Sequence, residues 1–147
     1  MRPERFEQWV DRQVRSLQMG HSDGYPFDWP AVIATPRREW AIDPKPGETV
    51  GDFIVAVSQE CKQSDATWVF IAKCEEVAIY YPDDPRENRA VNEIGSERLR
   101  SGLYLYARDL SRGLRLHGAA GIEPDGRMGD AKMVDNDQQS PFDTHFG

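Results

Sequence analysis

The chain predicts an α+β fold, with two helices packed on a largely antiparallel sheet of about five strands in the order α-β-β-α-β-β-β. Three observations carry this reading. Apolar residues recur at helical spacing in two windows, residues 3–19 and 50–63. Short β-branched and aromatic runs bounded by turn formers lie between and after those windows. The 147 residues, 39% of them hydrophobic, suffice for one core.

In the first window Phe6, Trp9, Val10, Val14 and Leu17 share one face, Pro3 suits a first turn and Gly20 is a stop signal. The opposite face, with Glu4, Arg5, Glu7, Asp11, Arg12 and Arg15, mixes signs as a solvated surface does. HSDGYPFDWP follows as a loop rich in turn formers and aromatics. AVIATP, residues 31–36, reads as a short buried strand, and REWAID as a half-buried partner across a tight turn at Pro36 and Arg37. After PKPGE, Thr49 stands three residues ahead of Asp52 in a capping-box-like arrangement. Val50, Phe53, Ile54, Val57 and Cys61 then mark the second helix.

TWVFIAK, residues 67–73, is a continuous apolar run that suggests a central strand covered on both faces. Glu75 and Glu76 are expected to interrupt it with a bulge or bend before VAIYY resumes. Residues 82–100 read as a long, charged, exposed connection. GLYLYARD and SRGLRLHG form a hairpin across DLSRG, with His117 an outward-facing strand residue rather than a catalytic base. Residues 1–123 are thus expected to form a single domain, and the Gly- and Asp-rich residues 124–147 a flexible polar tail, mobile or only loosely docked.

The run WPAVIATP, a charged Pro/Gly-rich bridge, the helix GDFIVAVSQECKQ, then ATWVFIAKCEEV, an acid-rich loop and GLYLYARD resembles small prokaryotic and phage-type proteins of unassigned function. In those a strand of the AxxVFxxE kind leads into a variable loop and a closing hairpin. The resemblance covers residues 29–118 and implies the fold; it departs at Val77, where such proteins often carry a tryptophan. The element order also resembles that of roadblock-like dimerisation modules.

The net charge of −7 is unevenly spread: residues 1–40 sum to zero, 41–90 to −5 and 91–147 to −2. Such a field opposes broad nonspecific nucleic-acid binding. A nucleic-acid-mimicking inhibitor is a minor alternative, weakened by eighteen interspersed basic residues. No stretch reaches membrane-span length, and the start MRPERFEQWVDRQ is charged where a signal peptide needs an apolar run. The expectation is a cytoplasmic protein without membrane contact, its two cysteines, Cys61 and Cys74, reduced and buried.

Motifs for catalysis are sparse. The chain has no phosphate loop, G-x-S-x-G elbow, H-E-x-x-H or CxxC pair, and neither a cofactor nor a metal is expected. His21 and His145 fall in loop or tail. Glu75 and Glu76, adjacent on a strand, would point to opposite faces, and Asp83 and Asp84 follow Pro82 on a loop. These four carboxylates read as an acidic rim rather than a cation site. Glu60 and Lys62 form an E-x-K triplet that, with Asp43, is the pattern of a metal-dependent nuclease; there the triplet belongs on a strand, whereas here it closes a helix. The leading reading is a non-catalytic protein-binding or adaptor domain, of the kind encoded by phages or mobile elements. Its acidic loop 82–97 is the partner surface, with Asp83, Asp84, Arg86 and Glu87 as contact residues. The partner is a protein, and a homodimer formed by pairing the strand at 102–108 across a two-fold axis is a further expectation.

Overall fold

In the computed structural model the described residues are 4–22, 30–78, 99–122, 127–135, 140 and 142–146. Side chains are described for these except 20–22, 74–78 and 99–101. The elements are α1 (Phe6–Ser22), β1 (Ala31–Ala34), β2 (Glu39–Ile42), α2 (Val50–Ser64), β3 (Trp68–Ala78), β4 (Leu99–Asp109), β5 (Leu114–Gly121) and α3 (Asp143–Phe146). The strands form one antiparallel sheet in the order β2-β1-β3-β4-β5. This is the α+β class expected, with the short α3 added.

Strand alternation splits the interior into two cores. Trp68, Phe70 and Ala72 of β3 and Leu103, Leu105 and Ala107 of β4 face α1, whose Phe6, Trp9, Val10, Val14 and Leu17 are buried against them. Val69, Ile71 and Tyr106 face the other way, toward Phe53, Ile54, Val57 and Cys61 of α2 and toward Phe142. The two long helices therefore lie on opposite faces of the sheet. Each fully buried large side chain contributes about 1.5–3 kcal/mol, so losing either helix would expose several such groups.

Local chemistry sets the helix ends. The Gln8 side chain accepts from Arg5 N at 2.9 Å and Trp9 N donates to Arg5 O at 2.9 Å, so α1 starts behind Arg5. It runs through Gly20 to Ser22, past the expected stop. Thr49 caps α2, accepting from Asp52 N at 3.1 Å, and Asp65 ends it in the left-handed region at φ 54°.

Three expectations need correction. Glu75 and Glu76 do not break β3, whose backbone pairs without interruption with β4 from Trp68↔Asp109 to Ala78↔Leu99. Strand 102–108 cannot supply a dimer edge, because it belongs to β4 and is paired on both sides. His117 is buried, since the face opposite α1 is covered there as well. The described residues after 126 are docked. Met128 and Val134 bridge to Ile122 and His117 along the outer edge of β5, and Ala131 and Met133 pack on the α1 core. Phe142 is buried in the α2 core, with Phe146 packed beside it.

Candidate functional site

The strand register brings three chain-distant turns to one end of the sheet. Ala34, Trp68 and Asp109 lie side by side, so the β1–β2 turn, the α2–β3 link and the β4–β5 turn form a common pole. Backbone bonds tie them together: Thr67 N donates to Ala34 O at 2.9 Å and Leu110 N to Thr67 O at 2.7 Å. The Thr67 hydroxyl also donates to Ala34 O, at 3.0 Å.

An open cleft of about 470 Å³ lies at this pole against the first turn of α1. The half-buried Trp68 ring supplies its aromatic surface, with buried Phe6 and Trp9 behind it at ring-centroid distances of 6.0 and 5.4 Å. Its rim carries Arg5, Glu7, Pro36, Ser111 and Arg112. A second groove of about 440 Å³ shares Pro36 and holds Arg37, Arg38 and Trp40, with the Arg38 guanidinium 4.0 Å from the Trp40 ring centroid.

Asp109 fixes the β4–β5 side of the cleft. Its buried carboxylate accepts from Ser111 N at 3.1 Å, the Ser111 hydroxyl at 2.7 Å, Arg112 N at 3.2 Å and Arg112 Nε at 2.7 Å. Burial alone would raise its pKa; the bonds from Ser111 and Arg112 outweigh that and hold it below the usual carboxylate range. On the α1 side, Arg12 bridges Glu4 and Glu39 at 2.8 and 2.7 Å, and Glu39 also accepts from Trp9 Nε1 at 2.7 Å. The cleft walls are thus pinned by charge-assisted bonds.

On the opposite face, β4 and β5 place Tyr104, Tyr106, Arg108, Arg115 and His117 together, through the pairs Tyr106↔His117 and Arg108↔Arg115. The Asp143 carboxylate enters this group, accepting from Tyr106 OH at 2.8 Å, from Arg108 at 3.3 Å, from Arg115, and from Ser140 N at 3.0 Å. Burial pushes its pKa up, but the bonds from Ser140, Tyr106 and Arg115 prevail and hold it low. The Tyr106 hydroxyl is raised, first by burial. Tyr104 OH and His117 Nδ1 are 3.3 Å apart.

The residues singled out from the sequence fall elsewhere. Asp43 is an exposed residue just after β2, and Glu60 and Lys62 lie on α2. Residues two apart on a helix do not face each other, so the triplet lacks the shared face that a strand would give it. Among the described residues no group of three or more His, Cys, Asp or Glu side chains could hold a metal ion. Lys62 instead borders a groove of about 280 Å³ with Cys61, Asp65 and His145. The Cys61 thiol is pushed up to about 12, first by burial and then by Glu60. Asp83, Asp84, Arg86 and Glu87 lie outside the described residues. Among the described residues no helix is long and apolar enough to cross a membrane.

Sequence reasoning missed both groupings. The polar cleft-rim residues Ser111 and Arg112 read as plain turn formers, and Trp68 as core. The cradle around Asp143 joins a hairpin to a segment taken for a tail. The available signal was the alternation of Tyr104, Tyr106 and Arg108 along one face of β4.

The chain matches no protein-family model, no curated protein and no solved structure in the comparisons made with each.

Proposed function

We propose that the protein is a non-catalytic protein-binding domain that receives an apolar or aromatic side chain of a partner in the cleft at the turn pole. The observation that carries this reading is the pairing of the half-buried Trp68 ring, backed by buried Phe6, with a rim of both charge signs, Arg5, Glu7 and Arg112. An apolar centre inside a polar rim is the anatomy of a protein interface, and a concave aromatic surface is where binding energy concentrates. Walls pinned by Asp109 and by the Glu4–Arg12–Glu39 bridge would reduce the ordering cost of binding. The acidic loop 82–97, with Asp83, Asp84, Arg86 and Glu87, is proposed as a second contact surface of the same adaptor.

The test is affinity capture from the native host's lysate with three tagged chains. These are the wild type, a rim variant (Arg5→Glu with Arg112→Glu), and a loop variant with Asp83, Asp84 and Glu87 neutralised. A partner retained by the wild type and lost by the rim variant supports the cleft. Loss with the loop variant alone moves the interface to the loop, and equal retention by all three refutes both surfaces. Thermal melts of the three chains separate lost binding from lost folding.

A further inference from the structure

We infer that the cradle of Tyr106, Arg108 and Arg115 is a second binding site, for a carboxylate-bearing aromatic peptide segment of a partner protein, and that residues 142–146 occupy it in cis. This site is distinct from the turn-pole cleft and does not depend on it.

The seated segment defines the ligand chemistry. Asp143 lies among one tyrosine hydroxyl and two guanidinium groups. Phe142 stands edge-on to Tyr104 and Tyr106, at centroid separations of 5.7 and 5.4 Å, and Phe146 lies 6.0 Å from Tyr106. A carboxylate flanked by aromatic rings is therefore what the surface accepts.

The cradle belongs to the sheet and not to its occupant. Tyr106 and Arg108 sit on β4 and Arg115 on β5, held by the ladder from Gly102↔Gly121 to Asp109↔Leu114. The segment is tied to α2 by the Ser58 Oγ to His145 O bond, 2.8 Å, and by Phe142 in the α2 core. The β4–β5 ladder that carries Tyr106, Arg108 and Arg115 is made without the segment.

The fit of Asp143 also leaves capacity unspent. Arg108 reaches both Asp143 and Tyr106 OH at a long 3.3 Å. Arg108 Nε is buried and has no hydrogen-bond partner among the described residues. A buried donor left unpaired is costly, and a ligand that engaged Arg108 in bidentate fashion would remove that cost. In a chain of net charge −7, this local pairing of arginines marks an acidic partner segment.

The magnitude of self-competition follows from tethering. A segment joined by a short linker acts at an effective concentration of about 1 mM. A free peptide with an intrinsic dissociation constant of about 100 µM would then bind the wild-type chain about tenfold more weakly than a chain whose own segment is disabled.

The probe is a fluorescein-labelled peptide with the sequence of residues 140–146, SPFDTHF. It is titrated by fluorescence anisotropy against the full wild-type chain and the full chain carrying Asp143→Asn. A control peptide carries asparagine in place of its aspartate. The expected result is about tenfold tighter binding of the acidic peptide to the variant than to the wild type, with the control peptide markedly weaker on the variant. Equal binding by both chains, equal binding of both peptides, or no binding to a folded variant overturns the inference. Should the variant fail to fold, the wild type decides through NMR of its Arg Nε–H signals. An Arg108 signal that shifts with the acidic peptide and not with the control supports the site, and signals unmoved by millimolar acidic peptide overturn it.

Discussion

Gly118→Ala tests whether residues 127–135 belong to the fold. Gly118 sits on β5, and a Cβ there would lie 2.5 Å from the backbone O of Lys132 and 3.1 Å from Met133 Sδ. Ordinary contact begins near 3.4 Å, so the carbonyl must retreat by about 0.9 Å, the difference of the two distances. Either β5 or the covering segment must yield. β5 is paired along its whole length to β4, whereas the segment is held at this edge by His117 N to Val134 O at 3.0 Å, Val134 N to His117 O at 2.9 Å and Gly129 N to Gly121 O at 2.9 Å. The segment therefore moves, and the two bonds nearest Gly118 stretch. At about 0.5–1.5 kcal/mol each, their loss amounts to roughly 1–3 kcal/mol, the range of ordinary overpacking. Urea denaturation should show a lower midpoint at nearly unchanged slope, and hydrogen exchange should show faster exchange of the Val134 amide. A variant with the wild-type midpoint and unchanged Val134 protection would refute this packing.

Three further outcomes are expected. Thr49→Ala removes the α2 cap bond to Asp52 N and should lower stability by about 1 kcal/mol, measured by urea melts, with Thr49→Ser restoring it. In a Cys74→Ser background, Cys61 should react with maleimide at pH 8 far more slowly than a free thiol, because burial pushes its pKa up to about 12; rapid labelling without denaturant would contradict the packing of α2. Asp109 and Asp143 both have folded pKa values below their unfolded ones. Their contribution is fully present above the unfolded value of about 3.9 and is lost as pH falls through the folded values. Acid titration should therefore show stability declining below about pH 4, with a shallower decline in Asp109→Asn.

The elements most legible in the sequence were those with a period. Phe6, Trp9, Val10, Val14 and Leu17 declare α1, and Phe53, Ile54, Val57 and Cys61 declare α2, because packing on a sheet requires one apolar stripe. What periodicity omits is the identity of the cover. Alternation along β5 separates Leu114 and Leu116 from Arg115 and His117, yet it says nothing of what lies over each set. The face judged outward is the one that Asp143 and Phe142 approach. The docked residues 127–135 and 142–146 carry their anchors Met128, Met133, Phe142 and Phe146 without a repeat, among glycine and acidic residues that lower local hydropathy. Glu75 and Glu76 misled for a related reason. Their intrinsic preference argues against a strand, but the β3–β4 ladder places Gly102 and Ser101 opposite them and pairing overrides propensity. The cleft escaped notice because it joins α1, the β1–β2 turn and the β4–β5 turn, which come together only through the register Ala34, Trp68 and Asp109.

That register also explains how one strand end serves two surfaces. Arg108 and Asp109 are consecutive on β4, so alternation sends their side chains to opposite faces. Arg108 enters the cradle with Arg115 and Tyr106, while Asp109 fixes the turn that borders the cleft. The backbone between them is shared, and the turn is held to Thr67 through Leu110 N. A segment bound in the cradle and a side chain bound in the cleft would therefore both draw on the rigidity of the β4–β5 hairpin.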